Sequence, residues 1–166
     1  LSLKMNVRAQ RFGTFDSGRM ARLGVAPINS TSSEEMQWFT LDRAVGIVHP
    51  LNAWEDGESI VIWTPVCTSY DGGPRAENEA FMAEVVLHRP SGAASMRSVY
   101  PGDRVNTEFG RVHPAYLGCS ARWGFTGLMG NVPAKMSGIA KWELVRGGGG
   151  LRTAVRFGEG RWGGEP

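Results

Sequence analysis

The 166 residues are enough for one substantial core, and a hydrophobic content of 42% is that of an ordinary globular protein, which excludes a largely disordered chain. A formal net charge of +2, with Arg and Lys scattered, excludes the basic stripe that nucleic-acid binding requires. No run approaches the roughly eighteen apolar residues of a membrane helix, and the isolated Cys67 and Cys119 form neither a disulfide framework nor a metal motif, so a reducing compartment is expected.

In chain order, the single helical candidate is "NSTSSEEM" (29–36), which lacks an apolar face. Predicted strands begin with "MQWFT" (36–40) and "AVGIV" (44–48). The second runs into "VHPLNAWED" (48–56), so a strand is predicted to end on His49 at the rim of its sheet. A polar-aromatic turn closed by Glu55, Asp56 and Gly57 is predicted to follow. Next come "SIVIWTPV" (59–66), a polar surface loop "TSYDGGPRAENE" (68–79), "FMAEVVLHR" (81–89) and "SMRSVY" (95–100). The last strands are "ARWGFTGLM" (121–129), "SGIAKWEL" (137–144) and "LRTAVRF" (151–157), with "VRGGGGLR" (145–152) as a hairpin connection. In "IAKWEL" the residues Ile139, Lys141 and Glu143 oppose Ala140, Trp142 and Leu144, the alternation of a half-buried strand. Short alternating runs punctuated by 23 glycines predict an all-β fold; propeller blades, a sandwich or a barrel fit equally well. There is no dinucleotide-binding glycine motif, phosphate loop or serine-nucleophile elbow.

Of the three histidines, His49 stands where a rigid strand end can present a ligand or base; the plainer reading is a half-buried ring packed on Trp54. His88 reads as a solvated strand end. His113 precedes Pro114, which keeps it extended, and reads as a surface or packing residue. Glu108 and Glu165 stand out among the carboxylates because aromatic residues and glycines surround them, and a carboxylate buried there needs a partner.

Six blocks in order carry a resemblance. They are "RLGVAP" (22–27), "EMQWF" (35–39), "VHPLNAWED" (48–56), "EFGRVHPAYLG" (108–118), "KMSGIAKWEL" (135–144) and "RWGGEP" (161–166). Together they resemble the carotenoid cleavage dioxygenase family, above all its plant plastid members that cleave symmetrically or at the 9,10 position. The resemblance implies a seven-bladed β-propeller with iron(II), Fe(2+), on its axis, held by four histidines. It implies that His49 is one of those ligands and that Glu108 orients its ring. Glu165 would orient the last ligand histidine, beyond Pro166, and neither His88 nor His113 replaces the other three. His113 falls where relatives usually carry Asn.

The family's chains are much longer, so residues 1–166 are expected to be an internal segment of one propeller domain that continues beyond both ends. Such a piece, cut from a closed propeller, is expected to be poorly stable and to hold no iron by itself. The implied reaction inserts both atoms of O₂ across one conjugated double bond of a carotenoid or apocarotenoid, giving two carbonyl products without nicotinamide or flavin. A plastid location and a peripheral membrane or lipid-droplet surface follow from the same resemblance. Two other readings stand beside it: a catalytically silent carotenoid-binding propeller and a generic β-propeller interaction module.

Overall fold

A computed structural model describes residues 15–68, 80–99, 105–130 and 135–164. Its ten strands form three antiparallel sheets. A two-stranded sheet pairs β1 (Arg22–Val25) with β2 (Gln37–Thr40). The first four-stranded sheet runs in order β3 (Asn52–Asp56), β4 (Ser59–Cys67), β5 (Ala80–His88) and β6 (Ala93–Ser98). The second contains β7 (Thr107–Arg111), β8 (Trp123–Met129), β9 (Met136–Glu143) and β10 (Gly150–Arg156), again with sequence neighbours adjacent. Each four-stranded sheet is a meander of the kind that makes one propeller blade.

The two blades pack face to face because alternation puts one apolar set of each on the shared side. Trp54, Val61, Trp63 and Met82 of the first meet Leu128, Ala140, Trp142 and Leu144 of the second in one core, with Trp63 and Trp142 fully buried. The opposite face of the first blade carries Val85 and Leu87, which pack under Phe39 and Leu41 at the two-stranded sheet. Inside the core Trp142 Nε1 donates to Thr126 Oγ1 at 2.8 Å and Thr107 Oγ1 donates to the Gly127 carbonyl at 3.0 Å, whereas the buried Trp63 Nε1 has no hydrogen-bond partner among the described residues.

Most predicted strands are present within a residue or two, and three local expectations are corrected. "AVGIV" is no strand, since only Gly46 pairs there, as an isolated bridge to Cys67. "NAWED" is no turn, because Asn52 through Asp56 ladder onto Trp63 through Ser59, with Asn52 and Trp54 facing inward. The reversal comes at Gly57, whose φ of +59° is left-handed. The helical candidate shortens to a 3₁₀ turn at Ser33–Glu35, capped by Ser32. The 68–79 loop falls, apart from Thr68, outside the described residues. The "VRGGGGLR" connection is a hairpin between β9 and β10, as expected.

That hairpin also joins the blades. The Gly147 N–H donates to the buried Glu84 carboxylate of β5 at 3.0 Å, Arg97 holds the same carboxylate at 2.6 Å, and Arg146 reaches Asp56 at 2.5 Å. Glu84→Ala would leave the Gly147 N–H and Arg97 without their shared acceptor. We expect it to lower unfolding free energy by about 2 kcal/mol in urea titration, and Glu84→Gln, which keeps an oxygen acceptor, to lose less.

Within the second blade, Arg152 and Arg122 on Glu143 hold its carboxyl below the usual carboxylate range. A carboxyl with a lowered folded-state pKa adds stability above its unfolded pKa, and that stability is lost as pH falls toward the folded value. Unfolding followed from neutral pH to below pH 4.5, the ordinary glutamate value, should therefore show a smaller acid-induced loss in Glu143→Gln than in the parent.

Candidate metal centre

His49 lies in the loop that enters β3 and Glu108 on β7, so the pair exists only because the two blades are docked. Leu51, just before β3, extends that edge of the first blade: its N–H donates to the Trp63 carbonyl at 2.9 Å. Its side chain lies against Gly110, where an added Cβ would come within 2.6 Å of Leu51 Cβ. Glycine is required at 110 for this approach of the two segments.

Glu108 is aimed by a β-bulge. Glu108 pairs with Gly127 and Arg111 with Phe125, so β7 carries one residue more than β8 across this stretch. Phe109 absorbs the mismatch with φ +58°, a left-handed conformation that costs a side-chain-bearing residue about 1–2 kcal/mol. Strain of this kind persists where surrounding structure enforces it.

The bulge brings two donors to one oxygen. Glu108 Oε2 accepts the Phe109 N–H at 2.9 Å and lies 3.0 Å from His49 Nδ1. Burial pushes the Glu108 carboxyl above its ordinary value, opposed by the Phe109 N–H and by His49. Burial raises the Cys67 thiol too, with the nearby Glu108 charge adding to the effect. An ionised carboxylate only accepts, so against ionised Glu108 the shared proton sits on His49 Nδ1, the tautomer of a neutral ring whose Nε2 lone pair is free. The His49 side chain is 39% exposed and that of Glu108 17%. The His49 ring rests on Phe109, with centroids 4.8 Å apart, whereas Trp54 belongs to the interblade core.

The other sequence candidates lie elsewhere. His88 bonds Ser91 Oγ at 2.7 Å at the exposed end of β5. His113 caps a 3₁₀ turn, Pro114–Tyr116, where Nδ1 accepts the Ala115 N–H at 3.2 Å, a task an asparagine oxygen performs equally well. Glu165 lies outside the described residues. Among the described residues no three His, Cys, Asp or Glu side chains cluster as metal ligands. Sequence reading missed Asn52, Phe109 and Gly110. Only Gly110 had a visible signal, a glycine inside an alternating stretch.

Comparison with known proteins settles the family. The model of the retinal pigment epithelial membrane protein family matches residues 1–166. The chain belongs to this family. It is 32% identical over 157 residues to the 9-cis-epoxycarotenoid dioxygenase NCED1, chloroplastic, of Oryza sativa subsp. japonica, which covers 91% of this chain and 24% of that protein. It is 32% identical over 168 residues to the zeaxanthin 7,8(7′,8′)-cleavage dioxygenase, chromoplastic, of Crocus sativus, covering 96% and 44%. A carotenoid 9,10(9′,10′)-cleavage dioxygenase of the same plant is 26% identical over 170 residues, covering 92% and 30%. The chain thus spans between a quarter and just under half of these relatives.

Two solved structures share the fold. The lignostilbene dioxygenase of Pseudomonas brassicacearum aligns with a TM-score of 0.68 at 17% identity, over 87% of this chain and 34% of that one. A cobalt-substituted Synechocystis apocarotenoid oxygenase aligns with a TM-score of 0.63 at 17% identity, over 82% and 30%. The architecture is therefore part of a seven-bladed β-propeller, as the sequence resemblance implied.

The donor set fits one arm of a metal site. A metal-bound imidazole commonly donates its second nitrogen's proton to a carboxylate, which fixes tautomer and ring orientation, and His49 with Glu108 has that arrangement. If Glu108 sets the tautomer, ¹⁵N spectra of histidine-labelled protein should show His49 protonated on Nδ1 at neutral pH. In Glu108→Ala the proton should shift toward Nε2; an unchanged His49 spectrum would sink the assignment.

Proposed function

We propose that this chain is an internal segment of a carotenoid cleavage dioxygenase, a non-haem iron enzyme that splits one conjugated double bond of a carotenoid or apocarotenoid with O₂ into two carbonyl products. The observation that carries the reading is the His49–Glu108 pair, a carboxylate-held imidazole with one nitrogen left for a metal, in a chain of this family. The names of the plant relatives support carotenoid cleavage as the chemistry.

In this reading His49 Nε2 supplies one of the iron ligands, and the remaining ligands come from parts of the propeller outside this chain. Iron(II), when bound, supplies the activation of dioxygen. Glu108 keeps the Nδ1 proton in place, so the imidazole binds as a neutral ligand with fixed orientation. Phe109 covers one side of that ring. Glu165 would serve a second ligand histidine in the same way.

The exposed face of the second blade supports continuation of the domain. Phe125, Ile139 and Val155 leave 43–61% of their surface uncovered there, and Phe109, Phe125, Met136, Ile139 and Phe157 line an apolar depression. A following blade would bury such a face, as the second blade buries one face of the first. A plastid setting accords with the chloroplastic and chromoplastic relatives. A substrate of this kind, scarcely soluble in water, would be drawn from a membrane or lipid-droplet surface. Among the described residues no helix is long and apolar enough to cross a membrane.

The test is iron content and cleavage of β-carotene and an apocarotenoid by the full-length protein. His49→Ala should lose stoichiometric iron and turnover, and Glu108→Gln should weaken iron binding by about 10- to 100-fold. Wild-type iron and turnover in His49→Ala would overturn the reading.

A further inference from the structure

His49 reaches Glu108 from a loop, and a loop holds a metal ligand only if something fixes it. Three residues after His49, Asn52 is only 3% exposed at the start of β3. Its amide uses all three of the bonds that its surroundings offer. Nδ2 donates to the Tyr116 carbonyl at 3.1 Å and to the Cys119 carbonyl at 2.9 Å, and Oδ1 accepts the Gly118 N–H at 3.0 Å. These partners are 64–67 residues away, in the corner that follows β7 in the other blade. Gly118 has φ +77°, the left-handed turn that lets the corner direct two carbonyls and an N–H at one amide.

We propose that Asn52 is the positioning residue of the His49–Glu108 pair, a role that rests on the metal-ligand reading of His49 given above. The segment from 49 to 52 is fixed against the second blade at two points beyond the pair itself. Leu51 lies on Gly110, two residues after Glu108, and Asn52 is clamped to the corner at 116–119. Contact of Leu51 with Gly110 sets how closely the segments approach but is apolar and non-directional. The Asn52 amide is directional, and it sets the register of the loop along β7. With the clamp closed, Nδ1 of His49 falls 3.0 Å from Glu108 Oε2. With it open, His49 keeps its sequence position and loses its orienting partner. Neither aspartate nor serine reproduces the amide: a carboxylate would face two carbonyl oxygens, and a hydroxyl has one proton for two acceptors.

The experiment compares Asn52→Asp, Asn52→Ser and Trp142→Phe in the full-length protein. Trp142→Phe removes a buried hydrogen bond, Nε1 to Thr126, in the same core and serves as the purely structural control. Two readouts are taken: the ¹⁵N tautomer signature of His49 without metal, and iron affinity by competition with a chelator. Both Asn52 variants should lose the Nδ1-protonated signature and bind iron about tenfold or more weakly, while Trp142→Phe keeps both at matched thermal stability. If Asn52→Asp does not fold, the uncharged Asn52→Ser carries the comparison. Wild-type signature and affinity in a folded Asn52 variant would overturn the proposal, as would equal losses in Trp142→Phe. The tautomer signature answers for the clamp even if His49→Ala shows that the histidine binds no metal, so the two ideas fail separately.

Discussion

The face-to-face docking of two antiparallel meanders is the constraint on which everything at the candidate site depends. It is made by large apolar side chains from both sheets, with Trp63 and Trp142 excluded from solvent altogether. Burial of this kind is strong but poorly directional. Registry between the sheets comes from polar groups placed around it: Glu84 receiving the Gly147 N–H on one side, and Asn52 receiving the corner at 116–119 on another. The apolar core supplies adhesion, and buried hydrogen bonds choose one alignment out of the many that adhesion would accept.

The site then uses that alignment economically. A single carboxylate oxygen takes one backbone and one imidazole donor, and Phe109, which supplies the backbone donor, is held in a left-handed conformation to make this possible. A bulge on β7, an edge strand of its sheet, re-aims a side chain while the β8–β9 ladder beyond it remains paired almost throughout. The stability spent on Phe109 is modest beside the burial that surrounds it.

Much of the fold was legible in residues alone. Alternation in "IAKWEL" and the apolar run "SIVIWTPV" identified strands because neighbouring side chains there face opposite environments. "NAWED" was misread because asparagine favours turns, whereas Asn52 finds three buried partners that no local pattern reveals. "AVGIV" was misread in the opposite sense, for an apolar run becomes a strand only with an edge to pair against. The pairing of His49 with Glu108 came from family resemblance and could not have come from spacing. The left-handed Phe109 carried no signal, because that backbone state is usually announced by glycine or asparagine. His113 caps a 3₁₀ turn, a role that explains how a position where the resemblance expects asparagine can accept it.

The meander topology has one more consequence, concerning the order of events in folding. Among the described residues every pairing within a blade joins strands that are neighbours in sequence, so each blade can close hairpin by hairpin, through connections of at most 12 residues, as between Cys67 and Ala80. The His49–Glu108 bond instead spans 59 residues and the Asn52 bonds 64–67. Loop-closure entropy and topology favour local contacts early and distant ones late. The His49–Glu108 pair is therefore assembled at the end, once both sheets exist and have docked in register, and a chain that docks them wrongly presents an unpaired histidine in its place.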